Sequence, residues 1–127
     1  MACRISELVI DCVDPEGLAV FWSAVLGYVE VGRESDGSIE IGPPGTGFGG
    51  PQPTLVLSPT TDPRPAKLRL HLDVSPTDRD QPAELERLLA LGARPVDIGQ
   101  GPDVTWHVLT DPEGNEFCLL RRRLDPL

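Results

Sequence analysis

Hydrophobic and polar residues alternate along segment 6–13, which predicts a β-strand with one face more apolar than the other. The pattern then changes to large apolar side chains three and four residues apart, which predicts a helix with one side in the core. Asp14 suits the N-cap, Pro15 the first helical position and Gly27 the helix end. We interpret Trp22, within this apolar stripe, as a core residue rather than a ligand platform.

Two short strands, 28–33 and 38–41, are predicted to form a hairpin after this helix. Segment 42–53 follows with five glycines and four prolines, so it predicts a mobile surface loop, serving either as a lid over a site or as an insertion without function. Its one large apolar side chain is Phe48. A strand at 54–57 completes this half of the chain.

The same order of elements restarts in the second half. Segment 67–74 alternates, with leucines and a valine on one face and Arg69, His71 and Asp73 on the other. A helix is predicted from Asp80-Gln81-Pro82 to Leu91, where Gly92 ends it. Three further strands are predicted at 94–98, 105–109 and 116–121.

Each half therefore has the plan strand, helix and three strands, and we predict an α+β protein of two tandem βαβββ modules. The modules, 4–61 and 66–124, would form a single domain over 1–127. One such module exposes a sheet face that it cannot cover alone, so we expect the two sheets to curl around a shared cavity. The apolar faces, including Leu68 and Leu70, would receive the helices, and the polar faces would line the cavity.

The charge balance narrows the choice of partners. Twenty acidic residues against 11 basic ones give a formal charge of −9, which opposes nucleic acid and anionic membranes. No apolar run approaches the roughly 20 residues that span a bilayer. Three cysteines and an N-terminal segment without a secretory pattern lead us to expect a reducing, cytoplasmic location.

The segment 110–120 combines a turn with a strand. Asp111 can accept hydrogen bonds from the amides after it, Pro112 restricts φ, and Gly114-Asn115 tolerate positive φ, so a tight turn is predicted. In the strand that follows, Glu116 and Cys118 share one face.

Three stretches together resemble the vicinal oxygen chelate superfamily, which includes glyoxalases, bleomycin-resistance proteins and ring-cleaving dioxygenases. The chain looks most similar to the small glyoxalase-like proteins of actinobacteria. The stretches are Val9 to Pro15 with Phe21-Trp22 and Leu26-Gly27-Tyr28, Leu70 to Val74 with Leu91-Gly92-Ala93, and Thr110 to Phe117.

The resemblance implies a paired βαβββ fold that holds one divalent metal, with ligands near the start of each module's first strand and on each module's last strand. These positions fall at Glu7, at Arg69 with His71 two residues on, and at Cys118. Arginine cannot ligate a metal, and a thiolate favours zinc or copper over magnesium or manganese.

Two interpretations of the polar residues follow. In the first, Glu7, His71 and either Glu116 or Cys118 bind one divalent ion (Zn, Ni, Mn or Fe), and Glu7 or His71 moves a proton as the catalytic residue. In the second, no metal is bound. Arg69, His71, Asp73 and Glu7 then form a polar network or contact an organic ligand. His71 as a structural histidine and Cys118 as a small buried side chain are the simpler alternatives.

The aromatic residues Phe48 and Trp106 are expected to help bind the ligand, and His107 joins them if its face of the strand meets the cavity. We therefore predict a cytoplasmic, homodimeric small-molecule-binding protein, either metal-independent or with a degenerate metal site. The alternative is a metal-dependent lyase, isomerase or dioxygenase acting on a small vicinal-oxygen substrate. The third alternative is a dimeric interaction module without a ligand.

Overall fold

The computed structural model describes residues 2–62 and 68–127. The chain divides into two compact units, Met1–Arg64 and Pro65–Leu127, which we call the first and second modules. Each module contains one helix and one four-stranded sheet among its described residues. The predicted α+β class with two βαβββ modules is confirmed.

The elements of the first module are β1 (Glu7–Cys12), α1 (Pro15–Leu26), β2 (Val29–Arg33), β3 (Ile39–Gly42) and β4 (Thr54–Pro59). Its strands form a mixed sheet in the order β1-β4-β3-β2. The outer strand β1 runs parallel to β4, whereas the other neighbours are antiparallel.

Helix α1 begins and ends where its capping residues predict. The Asp14 side chain accepts a hydrogen bond from the Gly17 amide at 3.1 Å, and Gly27 closes the helix with φ of 70°. Trp22 is buried, with its ring edge-on to that of Phe21. The prediction that Trp22 is a core residue is therefore confirmed.

Alternation gives the first sheet two different faces. One face carries a row of buried apolar side chains, and the other is more exposed, with Val9 at 58% exposure. The buried side chains are Ile39, Ile41, Leu55 and Leu57, and the half-buried Leu8 and Ile10 of β1 continue the same rows. The opposite face is therefore available for other contacts.

The glycine- and proline-rich loop is attached to the module at two points. The Arg4 guanidinium donates to the carbonyl oxygens of Gly49 and Gly50 at 3.0 and 2.7 Å. The Tyr28 hydroxyl donates to the Pro53 carbonyl at 2.9 Å. Phe48 in this loop is exposed.

The elements of the second module are β5 (Leu72–Val74), α2 (Gln81–Leu91), β6 (Arg94–Pro95), β7 (His107–Thr110) and β8 (Glu116–Leu119). The topology of the first module is repeated, with the sheet order β5-β8-β7-β6 and β5 parallel to β8. The Asp80 side chain caps helix α2 by accepting a hydrogen bond from the Ala83 amide, and Gly92 ends the helix.

Strand β5 is shorter than predicted. It begins at Leu72, and Leu68 and Leu70 are exposed rather than packed under a helix, with Leu70 at 81% exposure; Lys67 lies outside the described residues. The neighbouring strand β8 begins only at Glu116, and the backbone just before it is hydrogen-bonded within the turn from Asp111 to Asn115, so the residues before His71 have no strand to pair with. The prediction of a strand over 67–74 was therefore wrong for residues 68–71.

Strand β6 is also shorter than the predicted 94–98. The Asp97 side chain accepts a hydrogen bond from the Gly99 amide, and the Gln100 side chain accepts one from the Ile98 amide. The Val96 amide still donates to the Val108 carbonyl at 3.0 Å, and beyond Val96 these local bonds replace the ladder. Strand β7 likewise starts at His107 rather than at residue 105.

The turn before β8 is tight, as predicted. Asp111 is buried, and its Oδ1 accepts from the amides of Glu113 and Asn115 at 2.9 and 3.0 Å. Its Oδ2 accepts from the Asn115 side chain at 2.9 Å. Gly114, with φ of 87°, takes the left-handed conformation that the turn requires.

Neither helix of the described chain combines the length and the apolar character that crossing a membrane requires.

Candidate functional site

Three potential metal ligands of different chemistry meet on the second sheet. Strand β5 places Asp73 directly opposite Cys118 of β8, and His71 precedes β5 by one residue. Ligand atoms from these three side chains all lie within 4.8 Å of one another. We call them the His71–Asp73–Cys118 cluster.

The cluster is partly open to solvent. His71 Nε2 lies 3.2 Å from Asp73 Oδ1, and these two side chains are 53% and 49% exposed. Cys118 is 9% exposed and forms the floor of the group. An approaching ion or molecule can therefore reach the imidazole and the carboxylate without a change in the backbone.

The donor set fits a divalent metal of the zinc type. Imidazole nitrogen, carboxylate oxygen and thiolate sulfur are all common zinc ligands. Magnesium and manganese prefer sites composed of oxygen and water ligands, so the thiol of Cys118 makes them a poorer fit. The cluster would supply three protein ligands to such an ion and would leave room for water or another small ligand.

The first module brings two carboxylates together on the exposed face of its sheet. Glu40 on β3 and Val9 on β1 are both opposite Val56 of the central strand β4, and Glu7 is opposite Thr54 in the next row. Residues in register share a face of a sheet. We call these five residues the acidic face.

Electrostatics at the acidic face centre on Glu40. Partial burial raises the pKa of the Glu40 carboxyl, the hydrogen bond from Thr54 opposes this rise, and the charge and hydrogen bonding of Glu7 add to it. The Thr54 hydroxyl, which is fully buried, lies 3.3 Å from Glu40 Oε2. Glu7 itself is exposed. A positive charge placed here would relieve the repulsion between the two carboxylates.

Strand register places Glu116 on the same face of the second sheet as Cys118 and His107 on the opposite face. Glu116, opposite Thr110, shares the Cys118 face, since the two residues alternate along β8. His107 is opposite Leu119 and therefore on the other face of the sheet from Cys118. The structure thus does not bring His107 to the cluster.

The other predicted ligand-binding residues lie in segments outside the strands. Arg69 is exposed in the segment before β5, and Trp106 is exposed just before β7. Phe48 is exposed in the loop of the first module.

Glu7 also belongs to the first module, whereas the His71–Asp73–Cys118 cluster is formed entirely within the second.

Glu40 and Thr54 were not predicted as site residues. The alternation of Ile39, Glu40 and Ile41 predicts that Glu40 faces away from the core. Its position beside Glu7 depends on β4 lying between β1 and β3, and no local pattern specifies that strand order.

The fold and the sequence define the class of this protein. The family described as "Glyoxalase-like domain" matches residues 7–120, so the chain belongs to that family and to the vicinal oxygen chelate superfamily. No curated protein sequence gives a significant match.

Several solved structures share the fold at low sequence identity. One is a mutant of the fosfomycin resistance protein FosX from Listeria monocytogenes, complexed with Mn(II) and 1S,2S-dihydroxypropylphosphonic acid. It has a TM-score of 0.71 at 14% identity, covering 94% of this chain and 90% of that chain. FosX from Mesorhizobium loti has a TM-score of 0.66 at 17% identity, with 94% and 92% covered.

A glyoxalase/bleomycin resistance protein/dioxygenase family enzyme from Burkholderia phytofirmans PsJN is also similar. Its TM-score is 0.63 at 16% identity, with 92% of this chain and 97% of that chain covered. At these identities the similarity concerns the fold.

Proposed function

We propose that this glyoxalase-like protein binds and sequesters a small cationic molecule with a largely apolar body, using the acidic face of the first module. The observation that carries the proposal is the row formed by Val9, Val56 and Glu40, with Glu7 in the adjacent row. It places two carboxylates beside accessible apolar side chains on one sheet face.

Charge supports a cation as the ligand. The net charge of −9 attracts cations over a distance, and Glu7 and Glu40 supply negative charge at the face itself. A ligand with a positive charge lowers the repulsion between these two groups, whereas a neutral ligand of the same shape does not.

Apolar contact supports a ligand with a substantial hydrocarbon or aromatic body. Val9 is largely exposed, and Val56 beside it on the central strand is partly exposed. Ligand sites in proteins commonly combine apolar lining with a few charged or polar groups that orient the ligand. The acidic face has this composition.

The carboxylates of Glu7 and Glu40 argue against binding of a ligand like the one in the FosX complex. That complex contains a phosphonic acid, which is anionic, together with Mn(II). Glu7 and Glu40 would repel such an anion, and the donor set containing Cys118 is a poor match to manganese. We therefore propose that this protein binds a cation, although its fold is similar to that of a protein whose complex contains an anion.

A series of probes with one ring system and three charges tests the proposal. N-methylacridinium is cationic, acridine is neutral above its own pKa, and acridine carboxylate is anionic. We expect thermal stabilisation and binding in the order cation, neutral molecule, anion. Equal binding of all three probes would contradict the proposal.

Matched variants locate the site. Glu40→Gln and Glu7→Gln each remove one charge from the acidic face, and we expect weaker binding of the cation by several-fold. Glu86→Gln on the exposed side of α2 changes the net charge equally, outside the acidic face. Binding that falls as much in Glu86→Gln as in the other two would show a general charge effect and refute the site.

The second candidate function is a metal-dependent lyase, isomerase or dioxygenase, and the His71–Asp73–Cys118 cluster is the observation that favours it. A bound metal would supply Lewis-acid polarisation of a substrate oxygen. The half-exposed His71 would be one of the ligands of that metal, together with Asp73 and Cys118. Binding of acetohydroxamate, which chelates through adjacent oxygens, only after zinc is added would support this function. Equal binding of acetohydroxamate with and without zinc would contradict this function.

The predicted homodimer is part of the proposal as well. Strands β1 and β2 are the outer strands of the first sheet, and outer strands offer backbone groups for pairing. Sedimentation of the purified protein as a monomer at all concentrations would contradict the dimer without affecting the proposed ligand.

A further inference from the structure

We propose that the second module binds one zinc ion through the Cys118 thiolate, a His71 ring nitrogen and an Asp73 carboxylate oxygen, without a ligand from Glu7. This inference is independent of cation binding at the acidic face. It differs from the ligand set that the superfamily resemblance implies, because Asp73 takes part and the site is complete within one module.

The distances permit tetrahedral coordination with small side-chain adjustments. Zinc bonds of about 2.0–2.3 Å place neighbouring ligand atoms roughly 3.3–3.8 Å apart in a tetrahedron. His71 Nε2 and Asp73 Oδ1, at 3.2 Å, already lie near this separation, and all three ligand atoms lie within 4.8 Å. The remaining contraction is about 1 Å, which the half-exposed His71 and Asp73 can supply by rotation.

Two neighbouring strands, β5 and β8, hold two of the three ligands of the cluster in place. Asp73 and Cys118 are direct neighbours in a hydrogen-bonded parallel ladder, so their Cβ atoms point to the same side of the sheet. His71 lies just before β5, outside the ladder, where it has more freedom to adjust. Two ligands are therefore held by the sheet and the third closes on the ion.

Charge balance favours zinc in this position. A zinc ion with one thiolate, one carboxylate and one neutral imidazole has no net charge, and binding releases the Cys118 thiol proton. The protein surface is acidic overall, which raises the local concentration of divalent cations. Sulfur ligation then selects zinc over magnesium and manganese.

Cobalt(II) provides a direct optical test, because it occupies zinc sites and gives an intense near-ultraviolet absorption only when a thiolate is bound. The experiment uses the full chain with Cys3→Ser, since Cys3 is exposed and offers a competing thiol. We expect one equivalent of cobalt to produce the sulfur-to-cobalt band and one equivalent of zinc to abolish it. Titration without this band would overturn the proposal.

Four variants assign the ligands in the same background. Cys118→Ser should remove the band, and His71→Asn and Asp73→Asn should each weaken zinc binding by at least about tenfold. Glu7→Gln should leave zinc binding unchanged. Because Cys118 is buried, its variant is accepted only with an unchanged circular dichroism spectrum; the exposed His71 and Asp73 variants keep the test decisive. Unchanged affinity in those two variants, or loss in Glu7→Gln, would refute the ligand assignment.

Discussion

Asp73 on β5 and Cys118 on β8 are directly opposite one another in the parallel ladder of the second module. The resemblance to the superfamily implies a metal-binding carboxylate at the position of Cys118. Here the sulfur side chain and the neighbouring Asp73 carboxylate make a mixed donor pair.

Replacing that sulfur with oxygen should change the metal preference. Cys118→Glu supplies a hard carboxylate, so we expect the affinity for manganese relative to zinc to rise by at least about tenfold. Calorimetric titration of both metals into the wild type and the variant measures the ratio. The Cys3→Ser protein is the control for loss of a thiol elsewhere, and an unchanged ratio in Cys118→Glu would show that residue 118 does not contact the metal.

Stability should depend on pH through Glu40. Its pKa is raised above the ordinary value of 4.5, chiefly by burial, so the protonated form is favoured in the folded state. The stabilisation of the folded state by the protonated Glu40 carboxyl is complete below the pKa of Glu40 in the unfolded chain. It is lost as the pH rises through the pKa of Glu40 in the folded protein. We therefore expect Glu40→Gln to gain stability relative to wild type as the pH rises from below 4.5 to neutral, measured by urea unfolding.

The role of Glu7 in this pH dependence can be separated from burial. Glu7→Gln removes the nearby negative charge, so the Glu40 pKa should fall while remaining above its ordinary value, because burial is the larger cause. Carbon NMR of the Glu40 carboxyl follows the titration. A Glu40 pKa that is the same in both proteins would contradict the proximity of the two carboxyls.

The Asp111 turn should be a main contributor to stability of the second module. Its carboxylate accepts three hydrogen bonds from Glu113 and Asn115 while buried, so Asp111→Ala should lower the free energy of unfolding by about 2–4 kcal/mol. Asp97→Ala removes a comparable but exposed turn bond to Gly99 and serves as the control. Equal losses in the two variants would contradict this account.

Local sequence signals predicted the helices and their ends well. Asp14 and Gly27 for α1, and Asp80 and Gly92 for α2, act through hydrogen bonds within a few residues, so the information is contained in the segment itself. The Asp111 turn was predicted for the same reason.

Features that depend on distant partners were predicted less well. The alternation through Leu68 and Leu70 is typical of a strand, but a strand needs a ladder partner, and β8 begins only opposite the end of that segment. The pairing of Glu7 with Glu40 likewise requires the strand order β1-β4-β3. His71 and Cys118 were predicted as site residues from a family pattern, while the direct pairing of Cys118 with Asp73 required the register.

The central claim is that the acidic face selects its ligand by positive charge. The most direct measurement compares the dissociation constants of N-methylacridinium and neutral acridine for the wild type and for the Glu7→Gln, Glu40→Gln double variant. We predict that the wild type prefers the cation and that the double variant loses most of this preference while still binding neutral acridine. An undiminished preference in the double variant would contradict the claim.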